Sequence, residues 1–298
     1  MKSPINPMIV SIMDWVPFVF IDDVCHQLRK PVLNQVSQLS ADWSTFGTEH
    51  RKKRREFTFS CTVDGKDSSY SIKNRTELVV VDLNSEFDRI TLVRCDSPSE
   101  LRNRIKLEKL ERDVLPTVAS LAANCYLQPI VSGPSSQFYF NAFKNCPGFN
   151  DICVQEQGPE SRDFVARQVE FGNVQRLNLH GQKSNNSEPE PEKIGEMLKA
   201  FVSSARFHQL YLNYDRPLPT DIELFELFLH RALASELKPG ACISLRHITY
   251  ANSQTIGSLH PDCRDYSKKD EWIAWRILNS NLRILLRKKY ETLWMGVQ

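Results

Sequence analysis

Apolar and polar positions follow two different periods along this chain, and the change of period divides it. Between Met13 and Leu28, "MDWVPFVFIDDVCHQL", apolar residues recur at three- and four-residue steps: Phe18, Ile21, Val24, Cys25 and Leu28 form one helical stripe. Asp14 is a candidate N-cap, and Pro17 falls where a first-turn proline costs a helix no hydrogen bond. Asp22 and Asp23 lie off the stripe, near the positive end of the helix dipole, and Arg29 and Lys30 close the helix before Pro31. A second amphipathic piece carries Val32, Leu33, Val36 and Leu39, and Trp43 and Phe46 complete the unit. A helix pair of about 35 residues cannot bury two stripes and a tryptophan alone. It needs a covering surface, from the rest of the chain or from another protein.

From Glu56 the period drops to two. "EFTFSCTV" and "SSYSIKN" flank Asp64-Gly65 and predict a β-hairpin. "ELVVVDL" and "FDRITLVRC" extend it to a four-strand antiparallel meander with one buried face, for which the N-terminal helices are the nearest cover. A capping box in "SPSE" predicts a helix through Leu101, Ile105, Leu107 or Glu108, Val114 and Leu115 that breaks or kinks at Pro116. "YLQPIV" and "SQFYFNAF" read as extended, and "NCPGFNDICVQEQGPES" as an irregular junction around residues 145–160.

Beyond the junction a helix precedes a Leu-x-Leu strand three times, before "VQRLNLHG", "HQLYLNY" and "ACISLRHITY". Taking Leu177, Leu210 and Leu245 as equivalent gives steps of 33 and 35 residues (210 − 177; 245 − 210). "EWIAWRILNSNLRILLRKKY" reads as a last helix and strand, with Leu282 next in the series. Alternating helices and strands favour parallel strands joined by crossovers. An irregular leucine-rich-repeat-like array and a compact α/β layer both fit. The expected fold class is therefore α+β, or mixed α/β: a helical segment over 13–50, antiparallel β plus helix over 56–145, and helix-strand repeats over 160–298 that bind a substrate or partner.

Composition narrows the function classes. The 298 residues are 41% hydrophobic and 25% charged, as in ordinary globular proteins. With 38 Lys+Arg against 36 Asp+Glu, no global field steers the molecule onto nucleic acid or membrane. The strongest local charge is "HRKKRR"; within it Lys52, Lys53, Arg54 and Arg55 form a possible nuclear-import run or phosphate patch. No aromatic residues interleave it, so nucleic acid is not an expected partner, and a solvated turn is its simplest reading. The 8 cysteines stand singly, with no CxxC and no zinc-finger spacing, which predicts free thiols in a reducing compartment, cytoplasm or nucleus. "PMIVSIMDWVPFVFI" is apolar, but Asp14 and Pro17 split it and no small-residue cleavage site follows, so it is not read as a secretory signal. No later run approaches the about 18 apolar residues that a bilayer span requires.

"VPFVFIDDVCHQL", followed by the tryptophan of "ADWSTF", resembles a degenerate F-box. More closely, "MDWVPFVFIDDVC" with the trailing "W…EHRKKRREFTF" is similar to a nematode-expanded set of F-box-like proteins that begin Met-Asp-x-Val-Pro-Phe and continue into a long C-terminal region. The resemblance implies a non-enzymatic adaptor: the helices dock a Skp-type adaptor protein of a cullin-RING ubiquitin ligase, and the remaining chain recruits an unknown protein substrate. It makes Val16, Pro17, Phe18, Ile21, Val24, Leu28 and Trp43 the adaptor-facing or motif-core residues, with Val16 standing where the common F-box has leucine. It also starts at Met13, leaving residues 1–12 as a flexible extension.

Catalytic chemistry finds no signature. GxSxG, Walker, GxGxxG, HExxH and EF-hand patterns are all missing from the sequence, so no catalytic residue, cofactor or metal is expected. "HPDCRD" gathers His260, Asp262, Cys263 and Asp265, but its spacing matches no standard site and reads as a polar turn. His208 and His247 read as structural, and Trp272 and Trp275 with Ile273 and Ile277 as helix core. Two rivals to the adaptor remain: an interaction domain whose N-terminal helices pack on its own core without ligase contact, and an unrecognised enzyme. Exposure of the first stripe separates the adaptor from the first rival.

Overall fold

A computed structural model of the chain describes residues 16–39, 41–74, 77–78, 83, 86–95, 103–128, 134–156, 158–181, 191–214, 220–246, 263–269, 272–277, 280–287 and 292–298. Residues 1–12, Asp14, the "SPSE" capping box, His247, His260 and Asp262 lie outside that set. Helices and a large amount of mixed sheet make the class mixed α/β. Two compact units are distinguished, the first ending at Tyr126 and the second starting at Leu127.

The first unit opens with α1 (Phe18–Gln27), α2 (Lys30–Val36) and α3 (Ala41–Lys53). Pro17 is the N-cap of α1, extended at ψ 139°, and its carbonyl accepts from the amides of Phe20 and Ile21. The helix thus begins one residue after the proline. It also ends earlier than its charge pattern predicts, at Gln27, because Leu28 is extended; Lys30 opens α2 with Pro31 in the first turn, where a missing N–H is harmless. α3 runs on through much of the basic segment, which is therefore helical and not a solvated turn up to Lys53. Ile21, Cys25, Leu33, Val36 and Trp43 close a core between the helices, and Val16, Val24, Leu28 and Phe46 pack around it half-buried. Gly47 allows α3 to approach the end of α2, since a Cβ there would stand 2.9 Å from Val36 Cγ1.

The predicted hairpin forms from β1 (Arg55–Asp64) and β2 (Asp67–Asn74), in register Asp64 to Asp67 with Gly65 at φ +60° in the turn. The meander does not continue. β3 (Glu77–Leu78) is a two-residue partner of β2, whereas β4 (Asp88–Cys95) lies on the other side of β1 and parallel to it. The apolar alternation of β4 satisfies either direction, so period alone could not distinguish them. Asn103–Lys106, read as helix, is β5 and pairs antiparallel with β2. Helix starts at Leu107 as α4 (Leu107–Lys109), passes through a π-helical turn at Leu110–Val114, and resumes as α5 (Leu115–Leu121) with Pro116 in its first turn. Pro116 thus follows the π-helical turn and does not end the helical stretch, which continues to Leu121. α5 also packs on β4, where the sequence predicts the N-terminal helices as the nearest cover. β6 (Ala122–Gln128) lies beside β4.

In the second unit "SQFYFNAF" is not extended but belongs to α6 (Pro134–Phe143). Tyr139, Phe140 and Phe143 are buried from it, and Phe140 meets Phe164 with ring centroids 5.4 Å apart, so packing overrides the strand preference of aromatics. The segment read as an irregular junction carries β7 (Phe149–Glu156). There follow α7 (Pro159–Glu170), β8 (Arg176–Gly181), α8 (Pro191–Ser203), β9 (Gln209–Asn213), α9 (Asp221–Leu233) and β10 (Cys242–Leu245). β7, β8, β9 and β10 are parallel neighbours, as alternating elements require. Two buried rows cross them: Ile152, Leu177, Leu210 and Ile243, and Val154, Leu179, Leu212 and Leu245. Leu245 therefore aligns with Leu212, and the second step is again 33 residues (243 − 210) rather than 35.

The last helix-strand unit predicted from sequence is instead all strand. β11 (Cys263–Lys269), β12 (Trp272–Ile277), β13 (Leu282–Arg287) and β14 (Thr292–Val297) form an antiparallel succession, joined to β10 through β14. Trp272, Ile273, Trp275 and Ile277 thus sit on β12, not in a helix core.

Candidate functional site

The stripe chosen from sequence is split by the fold. Ile21 and Trp43 are inside the three-helix core, and Val16, Val24 and Leu28 lean on it. Pro17 and Phe18 face solvent, and with Phe18 go its neighbours: Phe18, Val19 and Phe20 are 61%, 74% and 54% exposed. Successive residues on a helix point about 100° apart, so one packing face cannot cover all three. Phe18 has a single aromatic neighbour among the described residues, Phe46, with centroids 6.0 Å apart. Val32 and Leu39, expected in the second stripe, are also exposed.

Behind this edge lies a polar cluster that the sequence reading missed. Asp22 and His26 are one turn apart on α1, and His50 arrives from α3, 28 positions away. His50 is 1% exposed; its Nε2 is 2.7 Å from Asp22 Oδ1, and His26 Nε2 is 3.2 Å from Asp22 Oδ2. Burial works against the charged form of Asp22, but the His50 bond and the adjacent imidazoles hold its carboxyl below the ordinary 3.8. Burial, reinforced by Arg89, pushes His26 below its ordinary 6.5. The i, i+4 spacing of Asp22 and His26 was visible as a helix-face pair; the third member depended on how α3 packs.

The basic run divides in the same way. Lys52 is exposed, and Lys53 lies over the Phe87 ring at 4.7 Å and bonds Glu49. Arg54 is buried and donates to the carbonyls of Cys25, His26 and Leu28 at 2.8–3.2 Å, tying the end of α1 to the start of β1. Burial and the neighbouring Arg89 lower its pKa to about 10, still charged at neutral pH. Arg55 makes a two-pronged bond to buried Asp88, both contacts 2.7 Å, across the β1/β4 ladder. Two of the four basic side chains therefore serve the fold.

In the second unit the groups at the carboxyl ends of parallel strands form a ladder. Asn213 bonds His180 at 3.0 Å and accepts from Arg246 at 2.7 Å, each pair 33 positions apart. Nearby, a groove of about 390 Å³ runs between α7 and α8, lined by Arg162, Asp163, Ala166, Lys193, Ile194 and Met197 among others. His208 is half-buried, and burial with Arg176 and Lys238 lowers its pKa. Cys263 and Asp265 lie on β11. Cys25, Cys61, Cys125, Cys146, Cys153 and Cys242 are free thiols. Among the described residues no helix is long and apolar enough to cross a membrane. No protein-family model matches the chain, and neither the curated proteins nor the solved structures contain a match to it.

Proposed function

We propose that the chain is a non-enzymatic F-box-like adaptor of the cytoplasm or nucleus. Its first unit docks a Skp-type adaptor protein through the opening turn of α1, and its second unit holds a protein substrate for a cullin-RING ubiquitin ligase. One observation carries the reading: Phe18, Val19 and Phe20 are exposed on a helical unit whose own core is already closed by Ile21, Cys25, Leu33, Val36 and Trp43. Docking would stabilise the complex by about 1.5–3 kcal/mol per large side chain fully buried, before the cost of association. The α7/α8 groove, apolar with charges of both signs on its lining, supplies the second unit with a surface for a peptide segment.

The burial of Ile21 and Trp43, with Arg54 tying α1 to β1, favours a second reading, an interaction domain that makes no ligase contact. Affinity capture of the intact chain with mass spectrometry separates the two. The adaptor reading expects Skp-type and cullin subunits with the native chain and their loss with Phe18→Ser/Phe20→Ser. Failure of the native chain to retain either subunit favours the second reading.

A further inference from the structure

Five polar side chains of the first unit form one line, Arg54, His50, Asp22, His26 and Arg89, and each link has a forced hydrogen-bond direction. A guanidinium only donates. Nδ1 of His50, 3.2 Å from Arg54 Nη2, and Nδ1 of His26, which Arg89 Nη2 contacts, are therefore both acceptors. Each ring then carries its one proton on Nε2, and both Nε2–H groups meet the same carboxylate, His50 at Oδ1 and His26 at Oδ2. The line joins α1 to α3 and β4, and Arg89 Nε adds a bond to the His26 carbonyl at 2.9 Å. Although the ligand-type atoms of Asp22, His26 and His50 lie within 4.8 Å of one another, the same directions oppose a cation. A metal on Nε2 would move each ring proton to Nδ1, against a guanidinium N–H.

We propose that this line is an acid-released latch: at neutral pH it holds α1 against α3 and β4, and a second proton on either histidine lets α1 go. That proton has only Nδ1 to occupy, where it abolishes the arginine bond and sets an imidazolium against a guanidinium. His50 has little room to turn aside, because its ring packs edge-on against His26 at 4.6 Å and lies 5.3 Å from the Phe87 ring. The charged groups acting on the pair are Asp22, Arg54 and Arg89; around these lie Cys25 from α1 and Glu56 from β1 beside Arg54, Asp88 with its partner Arg55 beside Arg89, and Lys53 over the Phe87 ring with Glu49 and Glu86 next to it. Asp88 is bonded by Arg55, which leaves Asp22 as the carboxylate in contact with both rings. The lowered pKa values agree in sign. Because His26 is held below its ordinary 6.5 and Asp22 below its ordinary 3.8, their contribution to stability is complete above 6.5 and is lost as pH falls, the histidine first. The consequence for docking rests on the adaptor reading: Phe18, Val19 and Phe20 belong to the helix the latch holds, so acidification loosens the docking edge.

Nitrogen NMR of histidine-labelled full-length chain reads both ring tautomers and their titration midpoints, and amide exchange of the same protein reads the hold on α1. The latch expects Nε2–H tautomers for His26 and His50 and a His26 midpoint below 6.5. It also expects α1 protection, corrected for intrinsic exchange, to fall about tenfold or more between about pH 7.5 and about pH 5.5, with β1 changing less than about twofold. A His26→Gln/His50→Gln chain, which keeps polar groups but cannot titrate, should lose that response. An Nδ1–H tautomer in either ring, a His26 midpoint at or above 6.5, or pH-independent α1 protection in the native chain overturns the latch. Binding of purified Skp-type adaptor at the same two pH values tests the coupling: equal affinity at both overturns it. An adaptor that binds at neither pH overturns the docking reading instead, while the tautomers and exchange still decide the latch.

Discussion

Truncating Phe18 tests the proposed docking apart from folding, because Phe18 is 61% exposed while Ile21, three positions on, is 0% exposed. The folded chain covers the remaining 39% of Phe18 (100 − 61), in part through the Phe46 contact. Full burial of such a side chain is worth about 1.5–3 kcal/mol, so Phe18→Ala should destabilise the first unit by only about 0.6–1.2 kcal/mol. Ile21→Ala leaves a hole in a closed core and should cost about 2–5 kcal/mol. Urea unfolding followed by circular dichroism measures both, and titration calorimetry with a purified Skp-type adaptor measures docking. If the ring anchors the partner, Phe18→Ala should lose about 2 kcal/mol of binding, close to thirtyfold in Kd, with little change in the unfolding midpoint. Equal destabilisation by the two substitutions would mean that the chain itself covers Phe18. Unchanged affinity in Phe18→Ala would remove that ring from the proposed docking surface.

Two further expectations test the frame that holds these elements. Arg54→Leu removes the side chain that donates to the carbonyls of Cys25, His26 and Leu28 together and should destabilise the first unit by about 3–5 kcal/mol, whereas exposed Lys52→Ala should stay within about 0.5 kcal/mol. Comparable unfolding midpoints for the two would refute a structural role for Arg54. In the second unit a Cβ on Gly181 would collide with the Tyr214 ring, so Gly181→Ala should cost about 1–3 kcal/mol and Gly181→Ala/Tyr214→Ala should recover part of it. No recovery in thermal melts would mean that the clash is relieved elsewhere.

Features carried by neighbouring residues were legible before any coordinates. The helical stripe through Phe18, Ile21 and Cys25, the hairpin at Asp64-Gly65, and the three helices that precede Leu-x-Leu strands rest on local period and turn chemistry, which a short window contains. The interleaved helices also required parallel strands, since a crossover returns the chain to the same edge. Ambiguity began wherever two long-range partners satisfied one local pattern. Either hydrophobic residue of a Leu-x-Leu pair can occupy a given row, so only strand register could align Leu245 with Leu212 and Ile243 with Leu210. A two-residue period fits both directions of β4, and burial beside Phe164 made a helix of an aromatic segment that favours strands.

The candidate site divides along the same line. Sequence alone determined that Phe18, Ile21 and Trp43 belong to one amphipathic helical segment, because apolar spacing is a property of the backbone's own geometry. Tertiary packing alone decided that Ile21 and Trp43 go inward while Phe18 stays outside, that Arg54 leaves its basic run to bond the end of α1, and that His50 meets Asp22. Burial and hydrogen bonding are relations between surfaces distant in the chain, and which surfaces meet is settled only when the helices pack.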